Sequence, residues 1–200
     1  MKKLTLTAFS ALALSLTCSS VFAVDGTITV NGVVTDQTCT LQGKGWISGV
    51  KDITITLPPI PKSTFTPTNP VSVKYGFDLI LKNAAGTGSC DAATTKAFKG
   101  IHLSPISATD LDATDKTLLI NKATGAGGAS AINPIFIQLF ADNGRAIDFS
   151  EPWGTQAKSP ARIDFNGNAY VYHNVAFTSK TGIVDAQNVH AIVNYTMHYN

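Results

Sequence analysis

Glutamate occurs once in the 200 residues, at Glu151, so acid/base chemistry built on a pair of glutamates is excluded. Arginine is nearly as scarce, and charged residues of both signs make up only 14% of the chain. The 15 Lys and Arg are not gathered into a patch or stripe, and nucleic acid is not an expected partner. The sequence has no Gly-x-Ser-x-Gly elbow, no His-Glu-x-x-His pair and no phosphate loop with its lysine. His102, His173, His190 and His198 are scattered along the chain, and the neighbouring Asp110 and Asp112 fall in a polar, loop-like stretch expected to be solvated. Helical periodicity is scarce as well. Nothing in this inventory points to an enzyme or calls for a cofactor or a metal.

The first residues have a different character. Met1-Lys2-Lys3 is a short positive segment, residues 4–16 are rich in Leu and Ala, and Val21-Phe22-Ala23 suits a cleavage site with a small residue. The apolar run is shorter than the roughly 20 residues a spanning helix needs, and residues 1–23 read as a secretory signal. Without Lys2 and Lys3 the 15 cationic side chains become 13, which balances the 13 acidic ones. Cys18 falls within the leader, which leaves Cys39 and Cys90. An even pair in an exported chain is most simply a disulfide, whereas two cysteines with no third thiol or histidine at ligand spacing make a poor zinc site.

Alternation with period two dominates what remains. Val71, Val73, Tyr75, Phe77, Leu79 and Leu81 are expected to share one face of a strand, and Ile53, Ile55 and Leu57 one face of another that Pro58-Pro59 ends. Further strands are expected over 98–103, 118–120, 135–140, 146–149, 169–177 and 189–199, with Asp142-Asn143-Gly144 as a hairpin turn. Loops are expected at 62–70, 84–89 and the glycine-rich 124–130. About eight strands and no linker composition predict one all-β domain, an immunoglobulin-like sandwich. Its ends stand out. Val24, Gly26, Ile28, Val30 and Gly32 alternate near one end, and Val193, Tyr195, Met197 and Tyr199 alternate up to Asn200 at the other. An apolar edge strand at one end and a spare strand at the other suggest association by strand addition.

The segment from Gly26 to Cys39, Phe77-Asp78-Leu79-Ile80-Leu81 leading to Cys90, Ile137-Gln138-Leu139-Phe140-Ala141-Asp142-Asn143-Gly144 and the tail with its penultimate Tyr199 resemble, in this order, the chaperone–usher fimbrial subunits of the type 1 fimbrial family. The resemblance implies a sandwich lacking its final strand, the pilin fold, completed by donor-strand complementation. It divides the chain into a signal (1–23), a donor strand (24–33) and an incomplete immunoglobulin-like domain (34–200). Val24, Gly26, Ile28, Val30 and Gly32 would enter a neighbour's groove, with Gly26 letting the backbone pass close to the groove floor. Val193, Tyr195, Met197 and Tyr199 would flank the chain's own groove and pair with a periplasmic chaperone, with Asn200 offering a carboxylate to basic chaperone residues. The partners implied are further pilin subunits, that chaperone and an outer-membrane usher, and the destination is the cell surface. The short extension before Gly26, the insertion at 83–89 and the 124–130 loop depart from the family pattern.

The main expectation is therefore a structural fimbrial subunit, the major shaft pilin, serving cell adhesion without catalysis. A minor or tip-adaptor pilin would use the same groove. The reading from a different class is a closed, monomeric secreted module that binds carbohydrate or protein, with Trp46 or Trp153 as a stacking platform, although single tryptophans more often anchor core or loops.

Overall fold

The computed structural model describes residues 39–200 together with Thr29 and Val34. The signal of residues 1–23 and the five donor positions Val24, Gly26, Ile28, Val30 and Gly32 lie outside the described residues.

The alternating runs become antiparallel strands: β1 (Thr40–Gly43), β2 (Tyr75–Lys82), β3 (Phe98–Pro105), β4 (Leu118–Ile120), β5 (Phe136–Ala141), β6 (Arg162–Ile163), β7 (Ala169–Thr178) and β8 (Val193–Tyr199). Among the described residues, the larger sheet runs β1-β2-β7-β5-β4. The two-residue β6 pairs with the first residues of β7, beside which β5 does not reach. The second sheet holds β3 and β8 alone. Leu41, Phe77, Leu79, Leu81, Val171 and Val175 from the larger sheet meet Phe98, Ile101 and Leu103 of β3 in one core. Period two places these side chains inward because successive residues of a strand point to opposite faces.

The Cys39–Cys90 disulfide forms, with Cα atoms 5.7 Å apart across 51 positions of sequence. It pins the start of β1 to a helix that periodicity did not announce. In α1 (Ala92–Ala97) the Asp91 side chain caps the N-terminus by accepting the Thr94 N–H at 2.9 Å. Hydrogen bonds from Thr94 hold the Asp91 carboxyl below the usual carboxylate range. Six residues are too few to show a period of 3.6, so the cap is the only sequence signal of this helix.

Three expected strands differ from the structure. Over residues 71–74 the faces exchange: Ser72 is buried and Val73 is 71% exposed, and the paired strand begins only at Tyr75. The Ser72 Oγ accepts the Phe177 N–H at 3.0 Å, a polar contact that draws the serine inward. Residues 146–149 make one bridge, Ala146 to Phe140, after the expected turn at Gly144 (φ +80°), and then bury Ile147 and Phe149 as irregular chain. Residues 53–57 keep the expected alternation, with Ile53, Ile55 and Leu57 half-buried against the core. They form no ladder, and their one bridge joins Thr54 to Ser48.

Candidate functional site

The smaller sheet has two edges with different fates. On the outer edge of β3, the buried Gln156 side chain acts as a short strand: its Oε1 accepts the Leu103 N–H at 2.9 Å and its Nε2 donates to the Leu103 carbonyl at 2.8 Å. The Ala161 N–H donates to the Lys99 carbonyl at 3.2 Å on the same strand. That edge is sealed by the chain itself. Among the described residues, β8 pairs only with β3, from Val193 opposite Pro105 to Tyr199 opposite Phe98, so its other edge has no ladder.

Side chains along the unpaired edge prepare it for burial. Val193, Tyr195, Met197 and Tyr199 are half-buried and pack on the core, while Asn194 and Thr196 are exposed. Residues 53–57 carry the same half-buried alternation and also lack a ladder. Tyr195 connects the two stretches, because its hydroxyl donates to the Lys51 carbonyl at 2.7 Å. Burial, with Asp52 nearby, pushes the Tyr195 phenol pKa up, so this hydroxyl stays a donor. Lys51 is the non-glycine residue with positive φ (68°), at the tip of a tight loop held by its N–H on the Leu41 carbonyl at 2.8 Å. Both stretches thus present half-buried apolar side chains packed on the same core, beside backbone that forms no ladder on the free edge of β8 or along 53–57 among the described residues.

On the opposite face of β8, His198 stacks on the Trp153 indole with centroids 4.0 Å apart and planes 3° from parallel. The Lys158 ammonium lies 4.3 Å from the centroid of the same ring. Burial, then the neighbouring His102 and Lys158, hold the His198 pKa below the usual range. Trp153 is thus engaged by a ring and a cation and braces the C-terminal half of β8, which makes it an anchor and not a sugar platform. Trp46 is 47% exposed and donates its Nε1–H to the Gly76 carbonyl at 3.2 Å.

The other residues singled out from sequence do not converge on a reaction centre. Asp110, expected to be solvated, is instead buried, where it accepts the Ser107 N–H and pairs with Lys122. Asp112 is engaged by Lys180 at 2.9 Å. His173 is 1% exposed and its Nδ1 has no hydrogen-bond partner. The Gln156 clamp was invisible in the sequence, because one side chain that replaces a strand leaves no periodic trace.

No protein-family model matches the chain. It is 28% identical over 182 residues to the F17 fimbrial protein of Escherichia coli, covering 90% of this chain and 91% of that protein. To the major fimbrial subunit SMF-1 of Stenotrophomonas maltophilia (strain K279a) it is 26% identical over 181 residues, covering 89% and 94%. Its fold matches the crystal structure of the P pilus rod subunit PapA with a TM-score of 0.53 and 18% identity, over 87% of this chain and 100% of that one. Over most of its length the chain is thus similar to structural fimbrial subunits, and it shares the immunoglobulin-like fold of the PapA pilus subunit.

Proposed function

We propose that this chain is the repeating shaft subunit of its fimbria and polymerises by donor-strand exchange. Residues 24–33 of one subunit enter the groove between β8 and residues 53–57 of the next. The observation that carries this reading is the asymmetry of the smaller sheet: Gln156 closes the β3 edge, while the β8 edge has an apolar lining and no ladder among the described residues. Covering seven half-buried positions (Ile53, Ile55, Leu57, Val193, Tyr195, Met197 and Tyr199) contributes about 1 kcal/mol each, before the backbone hydrogen bonds of a full strand are added. Val24, Gly26, Ile28, Val30 and Gly32 supply the alternation that such a groove accepts.

Before assembly the same groove and β8 edge, with Val193, Tyr195, Met197, Tyr199 and Asn200, are covered by a periplasmic chaperone, which an outer-membrane usher exchanges for the next subunit. On this reading residues 1–23 are the export signal, 24–33 the donor strand and 34–200 the acceptor domain, and the protein travels through the periplasm to the surface. The contact is head to tail and does not close on itself, so it extends into a filament.

A peptide of residues 24–33 tests the groove directly. Added to a subunit lacking those residues as it is released from its chaperone, the peptide is expected to yield a soluble complex with a melting temperature at least about 10 °C above that of the released subunit. A peptide of the same composition in scrambled order is expected to give no shift. Equal melting temperatures with and without the ordered peptide would contradict the reading.

A further inference from the structure

Phe165 is 94% exposed, yet the turn that carries it is closely hydrogen-bonded. It sits on the turn between β6 and β7, where the Asp164 carboxylate accepts the N–H groups of Asn166 and Asn168 at 2.9 Å each. The Asp164 N–H donates to the Asn168 carbonyl at 2.9 Å, and Gly167 takes the positive φ (80°) that the tight turn needs. Asn168 ties the turn to the body by accepting the Ser89 hydroxyl at 2.8 Å. Beside it, Ile163 is 57% exposed. An exposed aromatic side chain on a hydrogen-bonded turn, with an apolar neighbour, is poorly placed in water and well placed as an anchor.

Strand directions fix where this knob lies. Ala169 begins β7 and Thr40, opposite Lys82, begins β1, so Phe165 shares a pole of the sandwich with the Cys39–Cys90 disulfide. At the other pole, where β3 ends at Pro105 and β8 begins at Val193, lies a cavity of about 240 Å³. Ile106, Leu119, Ile120, Ala191 and Ile192 supply its apolar part, Ser107, His190 and the Asp110–Lys122 pair the rest, and Ile106 and Ile192 are still 57% and 54% exposed. An apolar cavity of about 150 Å³ already holds benzene, so the volume suits a phenyl ring.

We infer that Phe165 of each subunit docks into the Ile106/Ile192 cavity of the subunit that accepts its donor strand, a second contact between copies of this chain. The inference rests on the donor-strand reading. A strand leaving the Cys39 pole of one subunit and running antiparallel to β8 of the next brings the donor's knob-bearing pole to the end of the acceptor where β8 begins. The opposite orientation would carry Phe165 to the acceptor's Tyr199 end, away from the cavity. The antiparallel arrangement therefore satisfies an exposed knob and an exposed pocket together, and adds a lateral brace that the strand alone does not provide.

Placing benzophenone-alanine at position 165 in the full chain, expressed with its chaperone and usher, tests the contact. Phe165 is so exposed that folding tolerates the change. Irradiated fibres are expected to yield a ladder of covalent oligomers whose adducts map to peptides containing Ile106 or Ile192. Fibres with no such ladder, or with adducts mapping to other segments or foreign proteins, would overturn the contact and leave donor-strand exchange standing. Absence of fibres from the unsubstituted chain would overturn the parent reading and this contact together. Phe165→Ser gives an independent readout: fibres are expected at normal yield but with a shorter persistence length by negative-stain microscopy. Unchanged stiffness would count against the brace.

Discussion

Replacing Cys39 and Cys90 by alanine lowers the stability of the folded domain by about 4 kcal/mol, because the bond closes a loop spanning 51 positions in the unfolded chain. This is the largest single effect expected from a pair of substitutions. Small domains hold only about 5–15 kcal/mol in total, so the loss is a large share of it. The bond also fixes the start of β1 against the residue before the N-cap of α1, which in turn leads into β3. Urea unfolding of the peptide-complemented subunit measures the effect. The midpoint falls in the double alanine variant and, by a similar amount, in the unsubstituted protein after reduction. An unchanged midpoint in both would show that the disulfide does not constrain the unfolded chain as argued.

The second large effect is a pH dependence set by His173. Its ring is 1% exposed, stacks on Phe77 with centroids 5.8 Å apart and leaves Nδ1 without a partner, so a charge there would be buried with little compensation. Burial lowers its pKa to about 4, and the opposing attraction of Asp142 does not offset this. In the unfolded chain the imidazole titrates near 6.5. Above that pH both states are neutral and the group costs nothing. Between about 6.5 and about 4 the unfolded chain takes a proton that the folded one refuses, and stability falls by about 3 kcal/mol across the window. His198, held below its usual pKa as well, acts in the same direction, so the decisive quantity is a difference between proteins. Unfolding of the parent and of His173→Phe, compared from pH 7 to pH 4, is expected to diverge progressively, with the variant losing less. Parallel curves would sink this account of His173.

What was legible in the sequence follows from how each contact is encoded. Strands whose side chains alternate between core and surface announced themselves, as in residues 75–81 and 193–199, because burial on one face imposes period two. The disulfide was legible from compartment and parity. The exchange of faces at Ser72 was not, since a side-chain hydrogen bond to the Phe177 N–H overrides the apolar pattern there. Residues 53–57 are the instructive case. Their alternation was read correctly, yet alternation reports which face is buried and does not say whether the backbone has a partner. That β8 and residues 53–57 lack ladders while Gln156 seals β3 is visible only once all three are placed together. Phe165 passed unnoticed because one aromatic residue in a polar turn has no pattern around it.

Residues 24–33 of one subunit are proposed to complete the fold of the next. Immunogold electron microscopy of cells expressing the chain with its chaperone and usher, beside cells expressing a version without residues 24–33, puts this to the test. Fibres labelled along their whole length are expected from the first, and no fibres from the second, whose subunit still copurifies with the chaperone. Fibres persisting after the deletion, or a stable monomer and no fibres from either version, would contradict it.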